Sequence, residues 1–196
     1  MKQYLFFALN LLLALEGTSQ AKGDYMWQIG QNSHPQENPY ALSMVLDFNV
    51  LGINLDTFYR GMKMGYFNAS ISDVDGKLLV YSNGCQIKNG DHSNIPETMS
   101  LSPGETDFEW CLSNPSSGYP KFEGGLFISF FSDSIILLLH QRDYVLSNPT
   151  RIITDSLFYS SVQRDGDQYV LHEKTVPIVG DNLTDGNVEA VKASKP

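Results

Sequence analysis

The chain has 196 residues, a formal net charge of −9 and two cysteines. That length suits one domain with a real core. The acidic balance, with no Lys/Arg cluster in the sequence, argues against nucleic acid and anionic membranes as partners, because phosphate binding needs concentrated positive charge.

The first residues carry the pattern of a secretory signal peptide: Lys2, an apolar run from Tyr4 to Leu15, and small residues before a cleavage site after Ala21. The run is too short to span about 30 Å of hydrocarbon. Removing Met1–Ala21 leaves about 175 residues and the same net charge, since Lys2 and Glu16 cancel. The sequence therefore places the protein outside the cytoplasm (periplasmic, cell-surface or extracellular), with no membrane insertion after cleavage.

Beyond residues 22–42 the chain reads as strands separated by turns. Ser43–Asn49 is the first, with Met44, Leu46 and Phe48 on one face. Asn68–Ser72 and Lys77–Ser82 form a hairpin around Asp75-Gly76. Asn83-Gly84 turns the chain into a short strand, Gln86–Lys88. Both Gly-containing pairs suit tight turns because Gly accepts positive φ. An irregular segment, Lys88–Pro120, follows. Strands resume at Gly125–Phe131, Ser134–Gln141, Ser156–Val162 and Gln168–Val176, with turns at Ser132-Asp133 and Arg164-Asp165-Gly166. Ile135–Leu139 suits a buried strand, and Pro149 and Pro177 mark strand ends.

This spacing predicts an all-β fold of antiparallel four-stranded repeats. One unit spans Ser43–Lys88, within a first blade with its loop over 43–124. The other spans Gly125–Val176, within a second blade over 125–181. Serial units of this kind build β-propellers, and two are too few to close one. The tail 182–196 enters a further strand at Val188–Lys192. The expectation is an incomplete β-propeller, with a two-sheet β-sandwich as the alternative.

Trp27-Gln-Ile-Gly30, Leu46-Asp-Phe-Asn49, Ala69 through Cys85, Gly124-Gly-Leu-Phe127, His140 and Leu157–Val162 occur in an order that resembles exported propeller-like proteins of Bacteroidota. Full-length members of that group often end in a type IX secretion sorting domain. The resemblance covers roughly residues 25 to 192. It implies a propeller fold and an exported address, but no reaction. The family's remaining blades and its sorting domain are not in these residues, so the chain reads as the N-terminal part of a larger propeller.

Cys85 and Cys111 are, in an exported chain, most simply a disulfide closing a loop of roughly 27 residues. Free thiols are the alternative, and a nucleophilic Cys lacks any His/Asn partner pattern. Asp73 and Asp75 are too few for a calcium loop, and turn chemistry accounts for both. His34, His92, His140 and His172 show no zinc spacing; His140, at the end of the most apolar strand, reads as a hydrogen-bonded core or edge histidine. No cofactor or catalytic motif is present. Glu105, Asp107 and Glu109 read as a solvated acidic loop. Phe108, Trp110, Tyr119 and Phe122 cluster around Cys111. Exposed, they would stack on sugars or anchor a partner; packing the loop against the sheets is the preferred reading. Together these features point to a non-catalytic exported scaffold that binds an unidentified extracellular ligand or protein. A propeller enzyme acting on extracellular glycans or esters is the alternative.

Overall fold

The structure, a computed structural model, describes residues 25–30, 43–50, 52–58, 61–113, 118–121, 124–147 and 150–183. The signal segment 1–21, most of 22–42, Phe122, His34, Pro149 and the tail strand Val188–Lys192 lie outside them.

The all-β, antiparallel expectation holds. Among the described residues three sheets form, each a meander, and none closes into a barrel. The first contains β1 (Met26–Gly30), β2 (Ser43–Asp47) and β3 (Asn54–Phe58). The second contains β4 (Ala69–Ser72), β5 (Leu78–Ser82) and β6 (Ile87–Asn89). The third has four strands, β7 (Gly125–Phe130), β8 (Ile135–Ser147), β9 (Thr150–Asp165) and β10 (Gln168–Leu183), ordered β10-β9-β8-β7.

The grouping of strands differs in the first half of the chain. Ser43–Asp47 does not join the Asp75-Gly76 hairpin in one sheet; it pairs with β1 on one side and β3 on the other. Neither flanking strand was expected, because Asn54-Leu-Asp-Thr-Phe58 carries two residues disfavoured in strands. Ser43 and Val45 are buried while Met44 and Leu46 are half-buried. Apolar residues occur on both faces of this strand, so alternation alone does not choose between them.

Side chains join the first sheet to the second. The Asn68 amide, just before β4, donates to the Gln28 carbonyl (2.5 Å) and the Ser70 hydroxyl of β4 to the Met26 carbonyl (2.8 Å), so side chains at the start of β4 cap carbonyls of β1. The Asn49 amide donates to the Gly76 carbonyl at 2.9 Å.

The turn predictions hold in detail. Asp73 Oδ1 accepts from the backbone N–H groups of Asp75 and Lys77, both at 2.9 Å, and Gly76 has φ 85°. The Asp73 side chain thus serves the backbone, as turn aspartates do. Gly84 has φ 80°, and a Cβ there would lie 2.6 Å from Tyr119 and 2.7 Å from Phe67, so both conformation and space require glycine.

The main core lies between the second and third sheets. Phe67, Val80 and Ile87 meet Phe127, Ile136, Leu138 and Val162 there, with Leu101 and Tyr119 from the intervening segment. The apolar run Ile135–Leu139 is a strand as expected, with Ile136 and Leu138 fully buried and its other members half-buried. Segment 88–120 is less irregular than its composition implies. A short helix, α1 (Glu105–Asp107), continues into a π-helical turn, Phe108–Leu112.

Strands β8 to β10 run further than predicted. Pro177 lies inside β10 and does not end it. Among the described residues β10 is at the edge of its sheet, the place in a sheet where proline is tolerated. Register shifts around Glu173, Val176 and Pro177 break the regular edge, which discourages pairing with another chain.

Candidate functional site

The predicted disulfide is present. Cys85 and Cys111 are bonded with Cα atoms 5.2 Å apart, and both are fully buried. Cys111 sits on the π-helical turn and Cys85 just after the Gly84 turn, so the bond pins that turn to the second sheet.

Pinning Cys111 inward turns its neighbours outward. Phe108 is 61% exposed, Trp110 37% and Leu112 48%, and Tyr66, from the loop before β4, is 48% exposed. The rings of Tyr66 and Trp110 meet edge to face, with centroids 6.5 Å apart and planes at 78°. Packing of the aromatics against the sheets is therefore corrected for Phe108 and Trp110, which are exposed; Trp110 and Tyr66 form a two-ring surface platform. Packing holds for Tyr119, which is buried with its hydroxyl accepting from the Asp143 N–H at 2.8 Å.

Sequence reasoning missed Tyr66 and Leu112. Leu112 lies four residues after Phe108, a helical spacing that a reading of the segment as loop hides. Tyr66 carries no local signal, lying 44 positions before Trp110 with the whole second sheet between them.

The acidic residues beside the platform also divide. Glu105 and Glu109 are exposed as expected. Asp107 is buried against expectation; it accepts a hydrogen bond from the Ser100 hydroxyl, and burial raises its pKa.

A second polar centre lies inside the third sheet. His140 is fully buried, with Nδ1 2.9 Å from the Ser102 hydroxyl and Nε2 3.0 Å from the Ser160 hydroxyl. Burial lowers its pKa to about 3, so the ring is neutral at pH 7. The core-histidine reading holds: a Ser–His contact sealed from solvent offers no route to a substrate, and the pair positions β8 against β9 and the segment before α1. Of the other histidines, His92 Nδ1 lies 3.0 Å from the Tyr81 hydroxyl and His172 is exposed.

His140 makes stability acid-sensitive. Its folded pKa of about 3 lies below its ordinary value of 6.5, so between these limits the unfolded chain binds the extra proton. Its contribution is complete above pH 6.5 and is lost as pH falls toward 3. Urea unfolding at pH 7 and pH 4 should show a drop on the order of 2–3 kcal/mol that His140→Gln lacks. Equal drops in both proteins would contradict this assignment.

Lys121 and Asp143 form a buried ion pair. Lys121 Nζ donates to Asp143 Oδ1 at 3.2 Å and to Thr154 Oγ1 at 2.7 Å, and the Thr154 hydroxyl donates to the same Asp143 oxygen at 2.6 Å. Arg142 makes a bidentate, half-exposed pair with Asp155 through a register shift between β8 and β9. Among the described residues no group of three His, Cys, Asp or Glu side chains is placed to hold a metal ion.

No family model, curated protein or solved structure matches the chain. Among the described residues no helix is long and apolar enough to cross a membrane.

Proposed function

We propose that the chain is an exported, non-catalytic β-repeat scaffold that binds an extracellular ligand through the platform of Tyr66 and Trp110. The observation that carries this reading is the edge-to-face pair of exposed rings, Tyr66 and Trp110, the latter on a turn locked by a buried disulfide. Grouped apolar exposure of this kind mostly marks interaction sites. The polar cluster with the most catalytic appearance, around His140, is sealed from solvent.

Export is part of the proposal. It is supported by the Lys2, Tyr4–Leu15 and Ala21 pattern, and by a disulfide that suits an oxidising compartment. In this reading the blade-like meanders belong to a larger propeller of the type the Bacteroidota resemblance implies.

The test is retention of immobilised protein on cell-surface and extracellular material of the producing organism. Trp110→Ala and Tyr66→Ala should each weaken retention at least tenfold, about 1.4 kcal/mol, with melting temperatures within a few degrees of wild type. Retention unchanged in both variants would contradict the reading. Turnover of polysaccharide or ester substrates, abolished by one carboxylate or histidine substitution, would favour the enzyme alternative.

A further inference from the structure

We infer that Met26, Met62, Met64 and His92 form a binding site for copper as Cu(I), a site that shares no residue with the Tyr66–Trp110 platform.

Methionine is unevenly placed in this protein. Five methionines lie among the described residues, and three of them share one small cluster. Met62 and Met64 are buried there with Leu78 and Tyr81, and Met26 packs against them. Among the described residues the main core contains no methionine. A flexible thioether fills gaps in any core, so packing by itself gives no reason for this segregation.

Three parts of the chain build the cluster. Met26 is on β1, Leu78 and Tyr81 are on β5, and Met62 and Met64 lie in the connection from β3 to β4. The Met64 N–H donates to the Gly30 carbonyl at 3.0 Å, which ties that connection to the end of β1. The packing of the first sheet on the second therefore brings the three thioether side chains together.

His92 stands at the open side of the cluster. A cavity of about 370 Å³ is lined by Met26, Leu78, Asp56 and His92. His92 Nδ1 lies 3.0 Å from the Tyr81 hydroxyl, and the two rings meet edge to face with centroids 5.6 Å apart. Metal-binding histidines are oriented in this way, with one nitrogen engaged by the protein and the other given to the metal. With Nδ1 engaged, Nε2 is the nitrogen through which His92 ligates. The His92 backbone has φ 72°, uncommon outside glycine, and its N–H donates to the Asn89 carbonyl at 2.9 Å. That turn holds the ring against Tyr81.

The donor set selects the metal. Thioethers are soft, uncharged ligands that favour Cu(I), and imidazole also suits copper. Zinc takes thiolate, imidazole and carboxylate ligands, and calcium and magnesium take oxygen. Among the described residues no three His, Cys, Asp or Glu side chains gather for such an ion. Both cysteines are closed in the disulfide, so methionine is the soft donor that remains. Cu(I) brings a single positive charge. The Asp56 side chain lines the same cavity, and the net charge of −9 favours a cation there.

The experiment titrates the purified protein with Cu(I) under nitrogen, with ascorbate as reductant and a chromophoric Cu(I) chelator as competitor. One Cu(I) per chain should bind, with a Kd of about micromolar or lower. Met62→Leu/Met64→Leu and His92→Phe should each weaken binding at least about tenfold. Leucine conserves the volume and apolar character of methionine, so the melting temperature of the double variant without copper should stay within a few degrees of wild type. Cu(I) should raise the melting temperature of the wild type, because it binds the folded state. Met44→Leu/Met99→Leu, at the other two methionines among the described residues, should bind as wild type does. Zinc should not compete. In protein labelled with methyl-¹³C methionine, Ag(I), a redox-inert stand-in for Cu(I), should shift the methyl signals of Met26, Met62 and Met64 and leave those of Met44 and Met99 in place.

Absence of Cu(I) binding at one equivalent overturns the inference. Wild-type affinity in Met62→Leu/Met64→Leu or in His92→Phe also overturns it, as does an equal loss in Met44→Leu/Met99→Leu, which would mark scattered thioether binding. If the Met62→Leu/Met64→Leu protein fails to fold, the Ag(I) shifts decide. Shifts confined to Met26, Met62 and Met64 support the site, and shifts spread over all the methionines overturn it.

Discussion

Asp143→Ala should cost about 3–5 kcal/mol of folding stability, the largest single-residue effect expected in this protein. Lys121 and Asp143 are both buried, and the ammonium donates to Asp143 and to Thr154, which itself donates to Asp143. The Asp143 N–H is held by the Tyr119 hydroxyl, so the ion pair also fixes the core tyrosine that packs beside Gly84. Removing the carboxylate leaves the Lys121 charge in an apolar interior without its counter-charge. The desolvation cost then stands without the Coulomb gain that offset it. Asp143→Asn keeps an acceptor and should cost less than Asp143→Ala. The double variant Lys121→Met/Asp143→Leu removes both charges and should recover most of the loss, because a packed apolar pair avoids desolvation altogether. Urea midpoints of the four proteins at pH 7 test this. A loss below about 1 kcal/mol for Asp143→Ala would show that the pair does not hold the sheet.

Loss of the Cys85–Cys111 bond should cost about 3–4 kcal/mol, since the bridged cysteines are separated by 26 positions and opening that loop releases chain entropy to the unfolded state. The comparison is a Cys85→Ala/Cys111→Ala protein with wild type, each unfolded in urea with and without a thiol reductant. The reductant should shift the wild-type midpoint toward that of the variant and leave the variant unchanged. The same change should weaken ligand binding even where the protein remains folded, because the turn carrying Phe108, Trp110 and Leu112 loses its anchor. A variant of wild-type stability and affinity would show that the segment is ordered by packing alone.

The parts of the fold that were legible are those in which the cause is local. Asp75-Gly76, Asn83-Gly84 and Asp165-Gly166 announce turns because positive φ favours glycine, and Gly76, Gly84 and Gly166 all have it. The Asp73 turn needs only backbone donors within four residues. Ile135–Leu139 announces a strand by β-branched and apolar content, and the disulfide by cysteine number. The neighbours of β2, its buried face and the length of β8–β10 were not legible. Pairing and burial depend on which strand arrives alongside, and Met44, Val45 and Leu46 offer apolar groups to either side.

The candidate site divides in the same way. Phe108, Trp110, Tyr119 and the two cysteines stood out as a cluster in the sequence, because their proximity is a matter of counting. Which of the rings face water was decided by the π-helical turn, which buries Cys111 and exposes Phe108 and Trp110, and by the core between the sheets, which takes in Tyr119. Tyr66 reaches Trp110, and Lys121 reaches Asp143, only after the sheets have packed. By itself the sequence determined the all-β class, the turns, the disulfide and the acidic surface, each set by short-range backbone geometry or by composition. Only the tertiary structure decided the sheet partners, the sealing of His140 and the exposure of the aromatic platform, because burial is a property of surfaces brought together from distant parts of the chain.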